Sequence, residues 1–498
     1  MVLLLKNNFK SFLISLIIFS TITVLVQGEV QGTFSQVVEG FNWGPCVTKM
    51  ILYLNTSIPY VANTELDSSA FSVATTKEGN NDPENREIIN AYISDGSGNS
   101  ISKDSKNITL ELSCHPKKGI TNPFYYSSAK SLNDWANPYT SSITLVKNFV
   151  AGGLTINSGD LSITNTPTKN YLIGIDDVFT LNQEFTHKDI TLKYAYKKSS
   201  SNSNRGVVIW LHGTGEGGTD TTICLYGNKV TNLVSTTIQN ELNNCDILVV
   251  QCPSRWLPYT TGINTEDSVN TIDKYQSTYT ESLYALIQNY VSTNQVSSNR
   301  IYIGGASNGG SMTMNMILNY PQYFTAAYFA SEGYADRHIT DSQIESIKNI
   351  PLWFVYAEGD QTNDPEKTTK ATYDRLINAN APNVHLSYYS NGVVDTTGKY
   401  KNDDGTPYTY SAHWSWVYVG SSRIRTLHFM STARAIATIC WMAREHFPSN
   451  CVLLAGIPSL DRISSARFSY SLRRTTTPPF RPINMFSATV RFGHRVIS

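Results

Sequence analysis

The chain has 498 residues, 39 basic and 39 acidic side chains and therefore no formal net charge, with 41% hydrophobic residues. That length predicts two or three domains, each with apolar residues enough for a core. A balanced charge offers no global argument for nucleic acid or for a strongly acidic partner, so function has to be sought in local patterns.

Residues 1–28 carry Lys6 and Lys10, an apolar run over 11–26, and Val26-Gln27-Gly28, a sequence that suits signal peptidase. They predict a secretory signal. A membrane anchor is the alternative, but the run of about 16 residues is shorter than the roughly 20 of a spanning helix. No other segment is long and apolar enough to span, so a secreted protein with no stable membrane insertion after cleavage is expected. Asn55-Thr-Ser and Asn107-Ile-Thr are sequons compatible with a glycoprotein. The seven cysteines, at 46, 114, 224, 245, 252, 440 and 451, show no C-x-x-C or zinc-like spacing. In an oxidising compartment they predict a few disulfides and at least one unpaired thiol, with no metal site. Cys46 with Cys114 is the favoured pair, because both lie in one β region.

Residues 29–168 contain short runs such as VTKMILYL, FSVATT, NAYISD, ITLELSC and SSITLV, separated by Asn, Gly, Ser, Pro and Asp. This pattern predicts a β-sandwich, which beside an enzyme serves as spacer, binding module or active-site wall. Over 169–421 strands alternate with helices: ITLKYAY, GVVIWLHG, a helical VTNLVSTTIQNELN, DILVVQCP, a helical TYTESLYALIQNYVST, RIYIGGAS, AAYFAS, PLWFVYAEGD, a helical KTTKATYDRLINAN and VHLSYY. Nearly continuous apolar strands such as GVVIWL and DILVV require a mostly parallel sheet with helices on both faces. The fold class is therefore α/β, with SSSNSNR at 199–205 as a hairpin or loop inside the domain. Residues 422–498 hold 11 arginines and no lysine, against 6 arginines and 22 lysines before them. So abrupt a swap points to a shifted reading frame or gene-model error, with a real basic extension as the alternative, and no function is assigned to this tail.

The chemistry concentrates in Gly305-Ala306-Ser307-Asn308-Gly309, a G-x-S-x-G pattern between a predicted strand and a predicted helix over 311–320. A serine nucleophile needs a histidine to take its proton and an acid to orient that histidine. PLWFVYAEGDQTNDP runs from a buried strand into Glu358, Asp360 and Asp364. Asp360, nearest the strand end, is the expected acid and Asp364 the reserve. Of the later histidines, His385 lies in a strand and reads as a core residue, and His428, His446 and His494 fall in the tail. His413, in the loop TPYTYSAHWSWVYV, is the expected base. The glycine-rich WLHGTGEGG at 210–218 follows a buried strand and suits an oxyanion hole made by the N–H of Asn308 with that of Thr214 or Gly215. A phosphate loop is the rival reading of these glycines, but G-K-[ST] is absent.

HGTGEGG, VVQCPSRW, RIYIGGASNGG, FVYAEGD and AHWSWVY, in that order, resemble the secreted α/β-hydrolases grouped with prolyl oligopeptidase-like and polyhydroxybutyrate-depolymerase-like esterases. FNWGPCVTKMILYLN and NDWANPYTSSITL resemble the Ig-like domain that precedes some of them. The resemblance covers about residues 34–419. It implies an α/β-hydrolase fold behind an Ig-like sandwich, a Ser307, His413 and Asp360 triad, no cofactor, and a small ester or an esterified polysaccharide, acyl or feruloyl, as substrate. A prolyl-type serine peptidase is the runner-up, although about 140 residues ahead of the catalytic domain are too few for a gating propeller. A non-catalytic protein that binds through its β-sandwich is the third reading.

Overall fold

The structure, a computed structural model, describes residues 29–60, 66–200, 204–257, 276–390, 392–395 and 397–413, together with the backbone of a strand at 451–455. The expected signal peptide and nearly all of the arginine-rich tail lie outside the described residues.

The N-terminal part is a β-sandwich. Strands β1 (Val30–Phe41), β2 (Gly44–Ile58), β5 (Ile88–Ser94) and β6 (Ser105–Leu112) form one sheet in the order β12-β1-β2-β6-β5, with β12 (Leu161–Ile163) at its edge and β13 (Asn170–Leu172) also on β1. The second sheet runs β4-β3-β9, from β3 (Phe71–Lys77), β4 (Asn80–Arg86) and β9 (Tyr139–Leu145). In β9 the residues Tyr139, Ser141, Ile143 and Leu145 are buried in alternation with less buried neighbours, the period of two that a half-covered strand demands. Two hairpins complete the domain, β7 (Phe124–Ser127) with β8 (Leu132–Trp135) and β10 (Phe149–Ala151) with β11 (Leu154–Ile156). Because β13 pairs with β1, the sandwich continues past the boundary expected at 168. Cys46 and Cys114 form a disulfide with Cα atoms 6.3 Å apart. Cys224, Cys245 and Cys252 are buried free thiols, and Cys440 and the side chain of Cys451 lie outside the described residues.

The second part is built on a nine-stranded sheet. Its strands are β14 (Thr180–His187), β15 (Ile190–Lys197), β16 (Gly206–Leu211), β17 (Cys245–Gln251), β18 (Ile301–Ala306), β19 (Ala326–Ala330), β20 (Leu352–Ala357), β21 (Val384–Tyr389) and β24 (Cys451–Ala455). Their order is β14-β15-β17-β16-β18-β19-β20-β21-β24, parallel from β17 through β21. A short hairpin of β22 (Val393–Val394) and β23 (Thr409–Tyr410) lies outside the sheet. Strand β24 pairs antiparallel with β21, so the sheet takes in five residues beyond the boundary expected at 421.

Side-chain alternation divides the central strands between two cores. Val207, Ile209 and Leu211 of β16 join Leu283 and Ile287 of α3 (Thr280–Thr293) and the methionines of α4 (Asn308–Asn319) on one face. Ile344 and Ile347 of α5 (Asp341–Ile347) and Leu376 of α6 (Thr369–Asn378) extend that face. Val208 and Trp210 point the other way, toward Ile223 and Leu225 of α1 (Thr221–Gly227) and Ile238 of α2 (Thr236–Glu241). That second core is continuous with the interior of the β-sandwich, so the two domains pack as one body. The single helix expected over 230–243 is instead a 3-10 turn, Val230–Val234, followed by α2. Ser235 separates them, its extended backbone and hydroxyl capping α2 at the N–H of Ile238.

Candidate active site

Parallel strands present their C-terminal ends to one edge of the sheet, and the loops that leave those ends carry the reactive side chains. Strand β18 runs into Ser307, which adopts φ 53° and ψ −120° before α4 begins. A non-glycine residue at positive φ is strained, and here the strain lifts the serine out of the strand. The glycines around it follow from contact distances. A Cβ at Gly305 would lie 2.5 Å from the Gly309 carbonyl, and one at Gly309 would lie 2.1 Å from the Leu211 oxygen. At Gly310 it would meet the Glu332 Cβ at 2.7 Å. The turn closes only with hydrogen at all three positions.

The hydroxyl of Ser307 lies 3.0 Å from Nε2 of His413, whose Nδ1 lies 2.8 Å from Oδ2 of Asp360. A carboxylate oxygen can only accept, so Nδ1 carries the proton and Nε2 offers a lone pair to the serine. Asp360 follows β20, is only 4% exposed, and accepts the N–H groups of Thr362 and Asn363 on its other oxygen. Those two bonds fix the carboxylate plane. The reserve acid, Asp364, has other partners: it accepts the Glu366 N–H and pairs with Lys367 at 3.2 Å. Glu358 is exposed. His385 is a buried sheet residue beside Asn383, its basicity lowered by burial to about 4.

The glycine-rich loop leaves β16 as a 3-10 turn, Thr214–Glu216. A Cβ at Gly213 would be 3.7 Å from that of Ser307, which sets the start of the loop beside this serine. Thr214 follows directly, whereas Gly215 faces the Asn133 side chain of the sandwich. As the first residue of α4, Asn308 has a backbone N–H without an intrahelical acceptor. Its side chain is structural: Oδ1 accepts the N–H of Trp256 at 2.7 Å and Nδ2 donates to the Leu257 carbonyl. The His212 ring donates from Nδ1 to the Gly213 carbonyl and accepts the Cys252 N–H at Nε2. Full burial pushes its pKa down to about 4, so it is a neutral brace for the loop. No group of three or more His, Cys, Asp or Glu among the described residues is placed to hold a metal ion.

Residues 33–157 match the family of esterase Ig-like N-terminal domains, and residues 193–395 match the phospholipase/carboxylesterase family. The chain is a carboxylic ester hydrolase. The second match contains Ser307 and Asp360, and His413 lies beyond it. A solved thermostable esterase is similar in fold to this one over 84% of the present chain and 99% of its own, with TM-score 0.60 and 21% identity. The Arabidopsis thaliana protein SOBER1 gives TM-score 0.31 at 17% identity, covering 46% of this chain and 100% of its own. An acetyl xylan esterase from Aspergillus awamori gives 0.27 at 15%, with 37% and 75% covered. No curated protein sequence matches the chain.

Two acids of the esterase were not legible as site residues. The Glu216 side chain lies between Gly213 and Gly227, where a Cβ on either would come within 3.0 Å of it. Burial there raises its pKa to about 7. Glu332, just after β19, is 1% exposed and accepts the Tyr334 N–H and the Thr369 hydroxyl, and burial pushes it up to about 8. The sequence signal for the first was its place inside HGTGEGG; for the second there was only its position at a strand end.

Proposed function

We propose that this esterase is a secreted serine hydrolase that works through an acyl-enzyme on Ser307. The observation that carries the reading is the unbroken chain from Ser307 through His413 to Asp360, with contacts of 3.0 and 2.8 Å. His413 takes the hydroxyl proton as Ser307 Oγ adds to the ester carbonyl. The N–H of Asn308 with that of Thr214 or Gly215 stabilises the tetrahedral oxyanion. Collapse of that intermediate breaks the C–O bond, and His413 gives its proton to the departing alcohol. Water, deprotonated by the same histidine, then adds to the acyl-enzyme and releases the carboxylic acid, restoring Ser307. Asp360 keeps Nδ1 protonated and stabilises the imidazolium formed twice in each turnover.

Small acyl or feruloyl esters carried on polysaccharide are the proposed natural substrates, a reading supported by the resemblance of the motifs. Secretion is supported by the character of residues 1–28, and glycosylation by the exposure of Asn55 on the sandwich. A fluorophosphonate probe should label the wild type and not Ser307→Ala, with parallel loss of nitrophenyl acetate turnover. Labelling that survives the substitution would remove Ser307 from the mechanism. Turnover of a proline amide in preference to esters would make the protein a peptidase. A panel of acetylated and feruloylated oligosaccharides then reads the substrate class, and a glycosidase-sensitive mass reads the sequons.

A further inference from the structure

The Ig-like domain reaches two of the loops that form the site. On one side, Leu132 and Asn133 of β8 lie against the glycine-rich loop, their side chains 3.1 and 2.8 Å from where a Cβ would stand on Gly217 and Gly215. Trp135 donates from its indole to the Thr222 hydroxyl in the first turn of α1. On the other side, Trp43 meets Tyr400 edge to face at 4.5 Å and stacks toward Tyr410 at 6.4 Å. His115 packs edge-on against Tyr400 and Tyr408 and donates from Nε2 to the Lys401 carbonyl at 3.2 Å. Lys117 pairs with Asp403.

Residues 393–395 and 397–410 form the β22–β23 hairpin and turns between its strands, closed on itself by the Tyr408 N–H to Tyr400 carbonyl bond. Three residues after Tyr410 comes His413, a span of about 10 Å at most. The direction from which the imidazole approaches Ser307 is thus set by a hairpin whose aromatic side rests on another domain. An error of about 1 Å in that approach costs on the order of a hundredfold in rate.

We infer that Trp43 and His115 of the Ig-like domain are positioning residues for the catalytic base, acting through Tyr400, Tyr408 and Tyr410 on the placement of His413. The inference rests on the triad reading above. It assigns the sandwich a part in turnover, with the ester never touching Trp43.

The test uses the full chain and nitrophenyl acetate. Trp43→Ala is expected to lower kcat about 10- to 100-fold with KM changed less than about threefold, and Trp43→Phe to restore most of the loss. His115→Ala removes one hydrogen bond and two edge contacts and is expected to lower kcat about 3- to 10-fold, which keeps the question open to measurement should Trp43→Ala not fold. In a His413→Ala background, Trp43→Ala should cost nothing further, because the group it positions is gone. The inference is overturned if both variants lower the melting temperature and leave kcat intact, or if Trp43→Ala costs the same factor with and without His413. Failure of the triad reading is separately visible, since His413→Ala alone would then retain wild-type turnover.

Discussion

Replacing Glu332 by Gln should abolish the pH dependence of stability contributed by this one side chain. The carboxyl is enclosed by α4 and the start of α6, its acceptors are taken by Tyr334 and Thr369, and no basic side chain among the described residues pairs with it. Burial raises its pKa from 4.5 to about 8. A carboxyl whose folded pKa is raised binds its proton more tightly when folded, so its contribution is fully present below pH 4.5 and is lost as pH rises toward 8. At about 1.4 kcal/mol per unit, the wild type loses about 3 kcal/mol from this group between pH 5 and pH 8. Glutamine has no proton to lose. The gap in stability between Glu332→Gln and wild type should therefore shift by about 3 kcal/mol in favour of the variant, roughly 6 to 12 °C in melting temperature for a domain of this size. Thermal and urea unfolding of both proteins at pH 5 and pH 8 measure it. Buried His212 and His385 titrate with the opposite sign, but they are common to both proteins and cancel in the difference. A gap that is the same at both pH values would refute the reasoning.

Asp360→Asn puts an amide where Nδ1–H of His413 needs an acceptor; kcat should fall about 10³- to 10⁴-fold with KM nearly unchanged, read by steady-state ester hydrolysis. Gly309→Ala drives a Cβ to 2.1 Å from the Leu211 oxygen, and should cost about 3 kcal/mol or more, visible as a lower urea midpoint or insoluble expression. Converting Cys46 and Cys114 together to serine opens a loop spanning 68 positions and should cost about 4 kcal/mol in the sandwich, measured by unfolding under non-reducing conditions. Glu216→Gln should leave kcat near the wild-type value at pH 6 and hold it higher above pH 7, where the native carboxyl beside Gly213 ionises; identical pH–rate profiles would exclude that effect.

Ser307, His413 and Asp360, which the structure places in contact, were legible as candidates because each obeys a local rule. Ser307 sits where a buried strand, three small residues and a helix must meet, and each requirement leaves a letter in the sequence. Asp360 and His413 were found by chain order and loop placement, and their contacts agree with that choice. The boundaries of α2 and of the sandwich were read less well. Ser235 stops a helical pattern through its side-chain bond to Ile238, and β13 is drawn to β1 by long-range pairing that no window of residues contains. The packing of Trp43 and His115 on the hairpin of residues 393–410 is of the same kind, since nothing local to FNWGPC announces a partner more than 350 positions away.

The buried acids were illegible for a different reason. A glutamate in sequence looks charged, and charge argues for the surface, so nothing in the letters marks Glu216 or Glu332 as buried. In the fold each lies against a glycine that serves the elbow or the loop facing it: Glu216 against Gly213, Glu332 against Gly310. Were both ionised, two negative charges would stand against Gly213 and Gly310, glycines close to Ser307. Burial raises the Glu216 pKa to about 7 and that of Glu332 to about 8, which shifts both toward the protonated form near neutral pH. Asp360, with two backbone N–H groups on one oxygen and the imidazole on the other, is then the carboxylate whose charge is directed at His413. The small cavities left by Gly213, Gly227 and Gly310 thus do two things at once: they let the turns close, and they lodge two acids where desolvation favours their protonated form.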